Sequence, residues 1–326
     1  MYQKNQRVII GALVAAVLGP SAVMNASAQN YPSRPVRVVV PFAPGGGSDI
    51  TARVFSQKLA EGLKQQFVVD NRGGAGGLLG MEIVAKAPPD GYTLMMMSAS
   101  FSATSALHKP AWDPIKNIIP VAQFGTTPFV LVVHPSVKAN NVKELIALAA
   151  SKPNGQTFAS TGLGGITHLA TELFMNMTKI QMVHVPYKST GAAMIDVLAG
   201  QAPILVGSLL PVTPHIHAGK LRGLAVTSAK RWYSLPEVPP LGDTVPGYNV
   251  ELWFGTMAPI GTSPAIIKQL NAVINKALES PEITKNLEKD GMVPTSGSPE
   301  KFGQLINADY NNWLKVVKSA NIKTTN

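Results

Sequence analysis

The chain has 326 residues, no cysteine and a formal net charge of +10 at pH 7. Without cysteine there is no disulfide framework, no thiol chemistry, no zinc knuckle and no lipid-attachment site. The 28 lysines and arginines are spread among the predicted helices rather than clustered with aromatics, so the excess favours anionic solutes and excludes a nucleic-acid footprint.

Residues 1–28 have the pattern of a signal peptide. Lys4 and Arg7 form a basic start, Val8 to Leu18 an apolar run, and Ala26-Ser27-Ala28 a small-residue cleavage site. The apolar run is about 11 residues long, short of the roughly 20 that span a bilayer. Cleavage after Ala28 removes two cations, giving a mature charge of 10 − 2 = +8, and leaves 326 − 28 = 298 residues. That length suits two domains of about 150 residues each. A free protein exported to the periplasm is expected.

The first predicted strand is Val38–Val40, and a helix is expected from Ile50 onward. Between them Gly45, Gly46 and Gly47 strip the loop of side chains, and Ser48 or Asp49 caps the helix. A ligand can reach main-chain N–H groups there, and the helix dipole favours an anion. The loop lacks the lysine of a nucleotide P-loop, so a carboxylate suits it better than a triphosphate. Asp49 reads either as a first-turn acid on the dipole or as a ligand contact, and Arg53 as its possible partner. Phe67–Val69 follows as a strand, and Leu79 to Ala87 as a helix. After the Pro88-Pro89-Asp90-Gly91 turn comes the apolar strand Tyr92–Ser98. This order implies a parallel sheet. Gly74 to Gly80 superficially resembles a dinucleotide fingerprint, but its third glycine is one residue late, and a tight turn with close packing is the better reading.

Phe129–Val133 is expected to carry the chain into a second lobe. There a helix spans about 142–150, strands lie near 156–160, 181–185 and 203–207, and helices near 166–176 and 190–199. The strand Leu221–Val226 returns toward the first lobe, residues 234–247 form a proline-rich connection, and the C-terminal quarter is mostly helical, with helix starts at Ser263-Pro264 and Ser298-Pro299. Within this second half, Thr161 to Gly165 repeats the strand–glycine–helix arrangement. Two such loops far apart suggest two lobes facing across a cleft. His168 and Tyr187 stand nearby, each readable as a packed side chain or a cleft residue. There is no G-x-S-x-G elbow and no H-x-x-x-H pair, and His215 and His217 diverge on a helix. No nucleophile or base constellation supports an enzyme.

Several motifs resemble the Bug family, the solute-binding proteins of tripartite tricarboxylate transporters. They are Tyr31-Pro32, Pro41-Phe42-Ala43-Pro44-Gly45-Gly46-Gly47-Ser48-Asp49, Asn71-Arg72, Gly74-Ala75-Gly76-Gly77, Pro89-Asp90-Gly91-Tyr92-Thr93, His184-Val185-Pro186-Tyr187-Lys188, Gly219 to Ser228, and Leu235-Pro236-Glu237-Val238-Pro239. The match runs through the mature chain in order. Ser189 departs from it, standing where family members often have glycine, as does Pro240 in place of threonine.

The resemblance implies an α/β, two-lobed periplasmic binding protein of type II-like form. Each lobe would be a mainly parallel sheet flanked by helices, with residues 29–128 and 229–326 as one lobe and 129–228 as the other. The implied site comprises Phe42, Ala43, Gly45, Gly46, Gly47, Ser48 and Asp49, with Ser98 and Ser100 after the Tyr92–Ser98 strand. Ser160, Thr161, Gly164, Gly165, His168 and Tyr187 complete it. It implies no cofactor or metal, a monomer, a small organic acid as ligand and a membrane permease as partner. Dicarboxylates, citrate-like acids, aromatic acids and amino acids all remain open as ligands. A sensor for a receptor kinase, or an exported hydrolase or isomerase of small acids, is the alternative.

Overall fold

The computed structural model describes residues 31–289, 291–319 and 322. The signal-peptide expectation for residues 1–28 lies outside them. In chain order, β1 (Val36–Val40), α1 (Gly47–Leu63), β2 (Phe67–Asn71), α2 (Leu78–Ala85), β3 (Thr93–Ser98), α3 (Ser100–His108) and the long β4 (Ile118–Val133) come first. Then follow α4 (Val142–Ser151), β5 (Thr157–Ser160), α5 (Ile166–Thr178), β6 (Val183–Pro186), α6 (Thr190–Leu198), β7 (Ile204–Ser208), α7 (Leu209–His217) and β8 (Arg222–Val226). The chain ends with β9 (Glu251–Pro259), α8 (Pro264–Leu278), α9 (Pro281–Lys289), β10 (Val293–Pro294) and α10 (Pro299–Ser319). No described helix is long and apolar enough to cross a membrane.

The strands hydrogen-bond along the path β2-β1-β3-β9-β4-β7-β5-β6, with β8 and β10 also on β4. β4 joins the two lobes. Its part from Ile118 to Pro128 pairs with β9, whereas Phe129 to Val133 pair with β7 and β8. Each lobe is parallel over its βα units, β2-β1-β3 in one and β6-β5-β7 in the other. Each also holds antiparallel pairings through β4. The strands β4 and β9 run antiparallel to their neighbours.

The inner parallel strands β1 and β3 bury both faces, and so read as unbroken apolar runs. Val38, Val39, Val40 and Leu94 to Met97 are fully or almost fully buried. Phe55 of α1 stacks on Phe124 of β4 with ring centroids 3.9 Å apart. The second lobe has its own core, including Val130, Val132, Leu205, Leu209, Val212 and Val226.

Several elements depart from the sequence reading. The first half of β4 contains Pro120, Gly125 and Pro128, residues that argue against a central strand. Irregularities in its pairing with β9 between Pro120 and Ala122, and between Gln123 and Gly125, accommodate the first two. β9 was hidden because it is buried along almost its whole length and shows no alternation. α7 was hidden by Pro211 and Pro214.

α10 is tied to the sheet by an acid. Trp253 Nε1–H donates to Asp309 Oδ2 at 2.9 Å, and burial pushes the Asp309 carboxyl up to about 6 despite that bond. A raised native pKa means that the folded protein holds this proton more tightly than the unfolded chain. Stability from this group is therefore lost as pH rises from about 4 through about 6. Asp309→Asn, which keeps an acceptor for Trp253, should stabilise the protein at pH 7.5 by about 1–3 kcal/mol. The gain should vanish near pH 4, as read by thermal or urea unfolding at both pH values.

Candidate functional site

Between the lobes lies a narrow cavity of about 30 Å³, the room of about one water molecule. Five helices begin at its wall. Gly46 and Gly47 start α1, Ser98 and Ser100 flank the start of α3, and Ile166 and Thr167 open α5. Ser189 and Thr190 start α6, and Ser208 is the N-cap of α7. Each first turn leaves N–H groups without helical partners, equivalent to about half a positive charge per helix. The lining also carries eight hydroxyl side chains and the apolar Phe42, Phe129, Ile166, Leu252 and Phe254, and no charged side chain. The cavity is thus electropositive through its main chain alone.

Many of these hydroxyls are already engaged. Ser98 Oγ donates to Ser100 Oγ at 3.2 Å, and Thr161 and Thr167 share a 2.9 Å hydroxyl contact. Ser189 Oγ accepts from Ala192 N–H at 3.1 Å and donates to the Pro44 carbonyl at 3.2 Å.

Of the residues expected at the site, Phe42, Gly46, Gly47, Ser48, Ser98, Ser100 and Thr161 line the cavity. The others lie outside its lining, for identifiable reasons. Ala43 N–H donates to the Lys188 carbonyl at 3.1 Å, and Gly45 packs on Gly191, where an added Cβ would sit 2.7 Å from Gly45 O. Both close the mouth of the cleft. Gly164 packs against the His108 ring, and its carbonyl, like that of Gly76, faces the Thr104 hydroxyl at 3.1 and 2.9 Å. Gly165 is the N-cap of α5 and lies beside Gly76, a close approach that also accounts for the glycines of the 74–80 segment as packing residues.

Asp49 serves its own loop. Its carboxylate accepts from Gly45 N–H at 3.0 Å and from Asn71 at 3.1 Å, and pairs with Arg53 at 2.9 Å. Burial alone would raise its pKa, but Arg53, Gly45 and Asn71 together hold it below the usual carboxylate range. His168 is buried, accepts from Gly164 N–H at Nδ1 and stacks on His184 at 4.1 Å. Tyr187 donates to Asp196 Oδ2 at 2.6 Å, and burial with that carboxylate pushes its hydroxyl up to about 12. Ser160 Oγ lies 2.6 Å from His184 Nε2, a distance that suits a nucleophile and its base. However, Ser160 is fully buried, and burial lowers His184 to about 3, too weak a base to draw a proton at neutral pH. The couple pins the loop instead.

Sequence reasoning missed Phe129, Ile166, Thr167, Thr190, Ser208, Leu252 and Phe254 as lining residues. Leu252 and Phe254 are two apart on β9 and share one face, a pattern visible only once the strand is known. Ser189 carried a signal, as a departure from the family pattern.

A family model described as tripartite tricarboxylate transporter family receptor matches residues 51–322. Protein BugT of Bordetella pertussis is 36% identical over 319 residues, covering 97% of both chains. Among solved structures, R. palustris Rpa4515 with adipate is 36% identical with a TM-score of 0.86, covering 90% of this chain and 99% of that one. MatC from Rhodopseudomonas palustris with bound malate is 29% identical with a TM-score of 0.85, covering 88% of this chain and 100% of that one.

The Asp49 network makes a prediction about stability. Asp49→Asn should cost about 1–3 kcal/mol at neutral pH, because charge-assisted bonds to a buried group are lost. A lowered native pKa contributes stability that is present above the unfolded value and lost as pH falls through the folded one. The difference between the two proteins should therefore shrink below about pH 4, as measured by urea unfolding across pH.

Proposed function

Because the chain belongs to the tripartite tricarboxylate transporter receptor family, whose model matches residues 51–322, we propose that it captures a small organic acid by closure of its two lobes and delivers it to a membrane permease. Five helix starts around a cavity without a charged side chain carry this reading. The ligand carboxylate takes its hydrogen bonds from main-chain N–H groups and hydroxyls, and the apolar wall of Phe129, Leu252 and Phe254 receives its carbon skeleton. Adipate and malate in the related structures are of this class.

The same lining favours acids without an amine. An ammonium group in a site of positive dipole ends is best served by a carboxylate partner, and Asp49 is committed to Arg53, Asn71 and Gly45 outside the cavity lining. The lobes we assign are residues 29–128 with 229–326, and 129–228, supported by the change of β4 partners after Pro128. Binding occurs without chemistry: contacts from both lobes are satisfied together only on closure, so ligand shifts the population to the closed form. The protein acts as a monomer in the periplasm after cleavage behind Ala28, and intact-mass analysis of a periplasmic extract should find a start at Gln29.

Isothermal titration should give one-to-one binding of adipate or malate and much weaker binding of aspartate. Equal or tighter binding of aspartate would refute the amine argument. Small-angle scattering should show a more compact particle with the bound acid. Gly47 offers a local test, since a Cβ there would lie 2.6 Å from Ser208 Oγ and 2.9 Å from the Phe254 ring. Gly47→Ala should weaken acid binding roughly tenfold or more. Gly46→Ala, whose Cβ meets its nearest neighbour at 3.6 Å, should bind nearly as wild type. Gly46 has φ −92°, so substitution there carries no backbone strain.

A further inference from the structure

Ser208 ends β7 and is the N-cap of α7. Serine at this position ordinarily caps the helix by accepting from the N–H of the second or third helical residue. Here the third residue is Pro211, which has no N–H, and the Ser208 side chain makes no capping bond. Ser208 is only 4% exposed, and its Oγ has no hydrogen-bond partner among the described residues. Ser189, the N-cap of α6 on the same wall, differs in this respect. Its third helical residue is Ala192, and its hydroxyl is used on both sides.

The free hydroxyl has a definite place. It lines the cavity and stands over the first turn of α1, within 2.6 Å of where a Cβ on Gly47 would lie. Two helix starts, α1 and α7, therefore meet at one spot, beside the ring of Phe254. A buried hydroxyl without a partner is unfavourable in the empty protein and becomes favourable once an acceptor arrives. We infer that Ser208 is a specificity residue whose hydroxyl donates to a carboxylate oxygen of the ligand seated between the N-termini of α1 and α7, and that Pro211 favours a free hydroxyl by removing the third-residue N–H that Ala192 supplies to Ser189 on α6. This rests on the organic-acid reading above and adds the residue that reads the acid.

The test uses the mature protein with adipate and malate as probes, titration calorimetry for affinity and thermal unfolding of the unliganded protein for stability. Ser208→Ala should weaken binding of both acids roughly 10- to 100-fold, since a hydrogen bond to a charged group is lost. Its unliganded melting temperature should be unchanged or raised, because no bond within the protein is broken. Pro211→Ala supplies the missing N–H. It should raise the melting temperature and weaken binding several-fold, and it should have no effect on affinity when Ser208 is already alanine. Unchanged affinity in Ser208→Ala overturns the inference and leaves the organic-acid reading standing. A lower melting temperature in Ser208→Ala, with affinity unaffected by Pro211→Ala, assigns the hydroxyl a structural role and equally overturns it. Failure of the wild-type protein to bind either acid overturns the organic-acid reading and this inference with it.

Discussion

The site depends on main chain approaching main chain between the lobes. Gly191 meets Gly45, and Gly76 meets Gly165, at distances that leave no room for a side chain: a Cβ on Gly76 would sit 2.6 Å from Gly165 N. At these contacts the starts of α1 and α6, and the loop before α5, come together. Side chains at the crossing points would hold the helix starts apart, and the shared electropositive space would open to water. At Gly76, with φ +64°, conformation and clearance both demand glycine, whereas at Gly45, with φ +84°, conformation alone does, and clearance demands it at Gly191.

Charge at the cavity is delivered by dipoles rather than by ions. A lysine or arginine would bind an acid more strongly at long range, but it would bring a flexible chain and a large desolvation cost into a small space. Helix starts are fixed by the fold and need no reorganisation. Their arrangement also leaves closure finely poised. The bonds across the mouth, such as Ala43 to Lys188 and Ser189 to Pro44, are ordinary neutral hydrogen bonds worth about 0.5–1.5 kcal/mol each. A ligand at 100 times its Kd contributes about 2.7 kcal/mol, comparable to two or three of them. Occupancy can therefore decide which form predominates.

Around the lining runs a set of polar groups that support the loops. Asp49 braces the glycine turn before α1, and Tyr187 is locked by Asp196. The stacked Phe158, His184 and His168 lie under the second glycine loop, with Gly164 N–H bonded to His168. Their polar atoms are spent on the protein itself. Residues near a site in sequence thus divide into those that face the cavity and those that hold the facing ones still, and titratable side chains here fall in the second group.

Local chemistry was readable in the sequence wherever it depends on near neighbours. The glycine loops before α1 and α5, the buried strands β1 and β3, the helix starts at proline and the family motifs are all short-range patterns, and they marked Phe42, Gly46, Gly47, Ser48, Ser98, Ser100 and Thr161. Tertiary structure alone decided which atoms face the cavity. Asp49 and His168 sit beside lining residues in the chain, yet hydrogen bonds to Arg53 and Gly164 turn them away. Ser208, Leu252 and Phe254 are far away in the chain and arrive only because β4 pairs with β7 in one lobe and with β9 in the other. Propensity and periodicity report the neighbours of a residue along the chain, whereas the direction of a side chain at a lobe interface is set by strand pairings made over long separations.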